Sequence, residues 1–211
     1  MIITSKFYIA IAAGLLIAFS FVPAAFAHQR QLFTIGDKDY LFVVGSAGEP
    51  VFIDDKSGVE MFVYKPDPAD PMNSSANGTM PIEGLEKNLK VEVTAGNKSK
   101  IFDLEPAFRD PGHYEAPFFP TIETTYSYRI FGDINGTSFD TTWTCTPGGG
   151  EAKPISDNST LKISDDVTRK GIMGGFGCPE SREDASFPEI YISNNEIVKR
   201  LDKLENPTGN Q

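Results

Sequence analysis

Tyr126-Ser127-Tyr128-Arg129-Ile130-Phe131, then Asn135-Gly136, then Ser138-Phe139-Asp140-Thr141-Thr142-Trp143-Thr144 is the stretch that decides the fold. Aromatic and β-branched residues alternate with polar ones on both sides of Asn-Gly, the dipeptide that best tolerates the left-handed conformations of a two-residue hairpin turn. Upstream, Leu89-Lys90-Val91-Glu92-Val93 and Val59-Glu60-Met61-Phe62-Val63-Tyr64 alternate with the same period of two, as half-buried strands do. Tyr40-Leu41-Phe42-Val43-Val44 is continuously apolar, and 31–35 alternates weakly. Further strand candidates are Val51-Phe52-Ile53, Ile101-Phe102-Asp103-Leu104, and His113 to Phe118 after Pro111-Gly112. Gly36-Asp37-Lys38, Gly48-Glu49-Pro50 and Gly96-Asn97 supply turns between them. Seven to nine short strands over about 115 residues predict an all-β fold, an immunoglobulin-like β-sandwich. Its expected core aromatics are Phe42, Phe62, Phe102, Phe118, Phe131 and Trp143, each worth roughly 1.5–3 kcal/mol when buried.

The regular pattern is interrupted twice. Pro66, Pro68 and Pro71 among Asn, Ser and Gly make 65–80 an exposed loop. Beyond Cys145, the glycines and prolines of 146–192 predict a long loop-rich extension, with a short strand at Leu161-Lys162-Ile163. Over 193–206, Ser193 and Glu196 form a capping-box pattern, and Ile197, Val198, Leu201 and Leu204 share one face. This predicts a short C-terminal amphipathic helix, marginal alone and therefore expected to dock its apolar side. The sandwich itself is expected over 28–145.

The N-terminus reads as an export signal over 1–27. Lys6 precedes an apolar run of about 16 residues, Pro23 breaks it, and Ala25-Phe26-Ala27 offers a small-x-small cleavage site. Cleavage there makes His28 the first mature residue; retention makes the segment a signal anchor. An extracytoplasmic location follows, whether a periplasmic-type space, the cell surface or the medium. The chain holds 29 Asp and Glu against 19 Lys and Arg in 211 residues. That excess argues against nucleic acid and anionic lipid as partners. Another exported or membrane protein is the expected partner, and contact with a membrane is expected only through an uncleaved anchor or that partner. In an oxidising compartment the only two cysteines, Cys145 and Cys178, predict a disulfide, with a thiolate metal site as the alternative. Closing a loop of about 34 residues would stabilise the fold by roughly 3–4 kcal/mol. Asn73, Asn77, Asn97, Asn135 and Asn158 each begin an N-x-S/T sequon, so N-glycosylation is expected in a host that performs it.

Three segments carry a resemblance. They are Pro81-Ile82-Glu83-Gly84-Leu85-Glu86-Lys87-Asn88-Leu89-Lys90-Val91-Glu92-Val93, then Asp110-Pro111-Gly112-His113-Tyr114-Glu115-Ala116-Pro117-Phe118-Phe119-Pro120-Thr121, and Tyr128-Arg129-Ile130-Phe131-Gly132. Together, over roughly 32–145, they resemble exported Ig-like proteins of bacteria and archaea in the style of YtkA-like and FixH-like domains. The resemblance implies the sandwich and says little of function. More distantly, the chain resembles periplasmic copper-resistance C-type proteins in size, export and sandwich. That resemblance implies a copper set of an N-terminal histidine, a distant histidine and a nearby aspartate, although the Asp-x-x-His spacing here is wider.

His28 and His113 are the only histidines. A freed His28 would offer imidazole and α-amine, His113 a second imidazole and Asp110 a carboxylate. That N,N,N,O set suits Cu(II), and copper is the one cofactor the sequence suggests. The Asp133 to Asp140 hairpin misses the spacing of a calcium loop, and Asp54-Asp55, Asp67 with Asp70 and Asp165-Asp166 read as a solvated acidic face, with loosely held calcium as the alternative. No serine sits in a nucleophile elbow, and catalysis is not expected. The sequence therefore predicts a cell-surface binding or interaction module, with a periplasmic-type copper carrier or chaperone as the alternative.

Overall fold

The computed structural model describes residues 28–147 and 155–206; the export signal expected over 1–27 and the Gly148-Gly149-Gly150 run lie outside them. In chain order the strands are β1 (His28–Ile35), β2 (Lys38–Ser46), β3 (Ser57–Lys65), β4 (Met80–Pro81), β5 (Leu89–Ala95), β6 (Lys98–Asp103) and β7 (Glu105–Pro106). There follow β8 (His113–Phe118), β9 (Tyr126–Ile134), β10 (Thr137–Thr144), β11 (Ile155–Asp157), β12 (Leu161–Lys162), β13 (Val167–Gly174) and one α-helix, α1 (Asn194–Glu205). They form two antiparallel sheets. The larger runs β11-β13-β1-β2-β3-β8-β7, with β12 on β13 and β4 on β3; the smaller runs β10-β9-β5-β6. The Asn135-Gly136 hairpin forms as read, with both residues at positive φ and Thr137 opposite Ile134.

The sheets close on a common core. Phe33 and Phe42 of the larger sheet meet Phe139 and Trp143 of the smaller one, with ring centroids 4.9–6.5 Å apart. All four side chains are fully buried. Strand β2 is apolar on both faces because both are covered. Tyr40, Phe42 and Val44 face the main core. Leu41 and Val43 form a second cluster with Leu32 on the outer face, against Phe62, Tyr64 and Met72. Met72 belongs to the Pro-rich 65–80 loop, which therefore folds back over the sheet.

Several expectations are corrected. Phe62 and Phe131 lie outside the main core, which takes their neighbours Met61, Val63 and Ile130 instead; strand alternation turns the two phenylalanines outward. Phe102 and Phe118 are only partly buried against it. Val51-Phe52-Ile53 makes a single bridge, Phe52 to Glu180, rather than a strand. The extension after Cys145 is not simply loop. Strand β13 pairs along nearly all of β1, and Phe176 stacks on Tyr128 at 5.3 Å. Strand β13 escaped notice because Thr168-Arg169-Lys170-Gly171 interrupts its apolar alternation, and the β1 register shifts between Leu32 and Phe33. The sheet thus draws on residues beyond 145. Helix α1 starts where predicted, with the Glu196 N–H donating to Ser193 Oγ, but its apolar face is exposed. It is held by its start: Asp54 accepts from Tyr191 Oη and the Asn194 N–H, and Asn195 Nδ2 donates to the Thr121 carbonyl. No helix among the described residues is long and apolar enough to cross a membrane.

Cys145 and Cys178 form a disulfide with Cα atoms 4.9 Å apart; both are buried. It joins the end of β10 in one sheet to the segment after β13 in the other, so the thiolate metal site is set aside. The Cys145→Ala/Cys178→Ala double variant should lose about 2–5 kcal/mol of unfolding free energy, read by urea denaturation; an unchanged midpoint would show that the staple contributes little.

Glu49 lies beside this staple. Its Oε1 is buried without a hydrogen-bond partner. Burial pushes the carboxyl up to about 8, offset only in part by backbone N–H groups of Ser46 and Gly177. The folded protein therefore holds a proton that the unfolded chain releases near its ordinary value of 4.5. Stability from this group is full below about pH 4.5 and is lost as pH rises toward 8. Glu49→Gln should gain stability relative to the parent as denaturation is repeated from pH 5 to pH 8.5. A difference that stays constant with pH refutes the assignment.

Candidate metal centre

The centre lies on the outer face of the larger sheet and is built by register. His28 of β1 pairs with Gly45 of β2, Gly45 with Glu60 of β3, and Glu60 with Glu115 of β8. One row of the sheet thus reads His-Gly-Glu-Glu. Gly45 carries no side chain, so His28 and Glu60 reach each other across it: His28 Nε2 lies 2.9 Å from Glu60 Oε2. The adjacent row brings Val43, Phe62 and His113 side by side. Phe62 stacks on the His113 ring at 4.1 Å and meets His28 edge-on at 5.9 Å, fixing both imidazoles on an apolar surface.

His113 is delivered by the turn Asp110-Pro111-Gly112-His113, closed by the His113 N–H on the Asp110 carbonyl. Proline second and glycine third, with Gly112 at φ +77, give this turn its shape. A Cβ at Gly112 would lie 2.8 Å from Pro81 Cβ and 2.9 Å from the Val63 carbonyl oxygen, so the close approach to β3 also requires glycine. The turn sets Asp110 Oδ2 2.8 Å from His113 Nδ1. Since the carboxylate can only accept, Nδ1 carries the proton, and a neutral ring then presents Nε2 as a lone pair.

That nitrogen is the unusual feature. His113 is 7% exposed, and its Nε2 has no hydrogen-bond partner. It faces Glu60 Oε1 at 3.0 Å and Glu115 Oε1 at 3.6 Å. A lone pair turned toward two carboxylates is repulsive unless a proton or a cation lies between them. Donor atoms from Glu60, His113 and Glu115 all lie within 4.8 Å of one another. Ligands bonded at about 2.0–2.2 Å to one ion stand about 2.8–3.6 Å apart, the span of the two contacts that His113 Nε2 makes. With a proton rather than a cation on His113 Nε2, the Glu60 carboxyl is held below its usual range chiefly by the His28 hydrogen bond, against the opposing effect of burial and with smaller help from the charge and hydrogen bond of His113. It is therefore ionised and ready to bind a cation at neutral pH.

Of the residues singled out in the sequence, His28 and His113 are brought together, both on Glu60. Asp110 stands on the opposite side of the His113 ring, where it orients the imidazole as carboxylates orient metal-bound histidines. Glu60 and Glu115 were missed. Glu115 had a signal, since it is two residues from His113 on one strand and so on the same face. Glu60 had only its place as an outward carboxylate in an alternating strand; nothing local links it to the histidines.

The other candidate groups have ordinary partners. Asp133 Oδ1 accepts from the Gly136 N–H, closing the hairpin. Asp67 accepts from the backbone of Ala69 and Gly78, and Asp165 pairs with Lys162. Asn73, Asn77, Asn97, Asn135 and Asn158 are all exposed, although Asn135 Nδ2 donates to Tyr40 Oη. No protein family, curated protein or solved structure matches the chain.

Proposed function

We propose that this chain is an exported, Ig-like binding protein that holds one late first-row divalent metal ion, copper(II) foremost, on the outer face of its larger sheet. The orphaned Nε2 of buried His113, turned toward Glu60 and Glu115, carries the proposal. His113, Glu60 and Glu115 would ligate the ion, with Asp110 orienting His113 and His28 holding the second Glu60 oxygen. Cleavage after Ala27 would free an α-amine on His28 next to this set. Imidazole with carboxylate suits copper(II) and zinc(II), and intrinsic affinity favours copper. The role is binding or carriage, and the more distant resemblance to copper-resistance C-type proteins points the same way. The disulfide is compatible with an oxidising, extracytoplasmic compartment.

A second reading, a cell-surface interaction module for another exported or membrane protein, is favoured by the exposed apolar residues of the C-terminal segment, Phe187 at 93% exposure above all.

Calorimetry with copper(II) and zinc(II) tests the first reading. One equivalent of copper(II) should bind. His113→Ala and Glu60→Gln should each abolish tight binding, and Asp110→Asn should weaken it by about 10–100-fold, the usual effect of losing an orienting partner. Zinc(II) should bind the same set more weakly. Copper binding that survives His113→Ala undiminished would remove the centre and leave the interaction module.

A further inference from the structure

Two apolar surfaces lie side by side without covering each other. One is helix α1, whose Ile197, Val198, Leu201 and Leu204 are 43–77% exposed. The other is a groove of about 510 Å³ on the open flank of the sandwich, where edge strand β6 stands apart from the end of β8. Phe102, Phe118, Phe119 and Tyr126 line its wall, with Lys98 and Lys100 beside them. Phe119 is 60% exposed, and Lys100 Nζ lies 4.8 Å from the Phe102 ring centroid.

The two surfaces match in charge as well as in apolar character. At about 100° per residue, Ile197, Leu201 and Leu204 fall within an arc of about 60°, and Val198 extends it on one side. Asp202 and Glu205 lie on that same side, giving the apolar face an acidic border there, while Arg200, paired with Glu196, borders the other side. The groove offers the complementary basic residues, Lys98 and Lys100. The helix also starts at the groove's rim, since Thr121, whose carbonyl accepts from Asn195 Nδ2, lines the groove. Within one chain the bonds of Asp54 and Thr121 to the start of α1 fix a helix whose apolar face stays exposed. A second copy can bury that face without breaking them.

We infer that the protein forms a symmetric dimer in which α1 of each copy lies in the β6–β8 flank groove of the other. Such an exchange is isologous and closes on itself, so it ends at two copies. It rests on different residues from the metal centre and does not depend on it.

Light scattering after size exclusion, on the secreted protein at about 100 µM, tests the inference. The parent should elute at twice the monomer mass. Leu201→Glu in the helix and Phe119→Ser in the groove should each give monomer with the far-ultraviolet circular dichroism of the parent, because both side chains are exposed on the single chain, and with a thermal midpoint that no longer depends on protein concentration. Cysteines placed at Leu201 and Phe102 should join two chains on a non-reducing gel. A monomeric parent overturns the proposal, as does a dimer that survives both substitutions. A crosslink confined to single chains also overturns it, because the helix would then occupy its own groove.

Discussion

The register of four antiparallel strands, β1, β2, β3 and β8, is the constraint on which both core and candidate centre depend. Side chains alternate strictly between the faces of a sheet, so a slip of one residue would exchange the two sets. In the observed register Phe33, Phe42, Met61 and Tyr114 turn inward. The same register turns His28, Glu60, Phe62, His113 and Glu115 outward, in two adjacent rows. Burial of the inner set fixes the outer one. The histidines and carboxylates are thereby held within bonding distance of one another by the packing of the opposite face.

The core has its own reinforcement. Its aromatic centre joins the two sheets, and the Cys145–Cys178 bond ties β10 of one sheet to the end of β13 in the other. Near that junction Ser46 Oγ bonds Tyr128 Oη, while Tyr128 stacks on Phe176. Glu49 is the exception in this region, a carboxyl kept neutral by burial. The sandwich thus keeps one uncharged acid near its staple and sets the carboxylates of Glu60 and Glu115 on the outer face of the larger sheet.

Much of this was legible in the sequence. Strands of period two, the Asn-Gly hairpin, the Ser193 cap and the cysteine pair are local signals, and each produced the expected element. What was hidden is non-local. Strand β13 is recognisable only by its pairing with β1, because Thr168-Arg169-Lys170 is polar enough to read as loop. Phe62 and Phe131 looked like core because residue type suggests burial, whereas alternation decides the face. In the candidate centre the sequence yielded both histidines and Asp110. Glu60 stayed hidden, because its nearness to His28 depends on a glycine in an intervening strand, and no spacing along one segment encodes that.

The pairing of β1 with β13 also bears on how the chain acquires its structure. Residues 28–35 lie inside the larger sheet, between β2 and a partner found at 167–174. Hairpins such as β9–β10 can form as soon as their own residues are available. The interior of the larger sheet must wait until the chain has been delivered through residue 174. Contacts this distant in sequence are slow to form, because a long loop must close before any pairing rewards it. Until then β1 has β2 alone as neighbour and an unpaired edge on its other side, a surface open to wrong partners. That delay concentrates the risk of misassembly in the interval before residues 167–174 can pair.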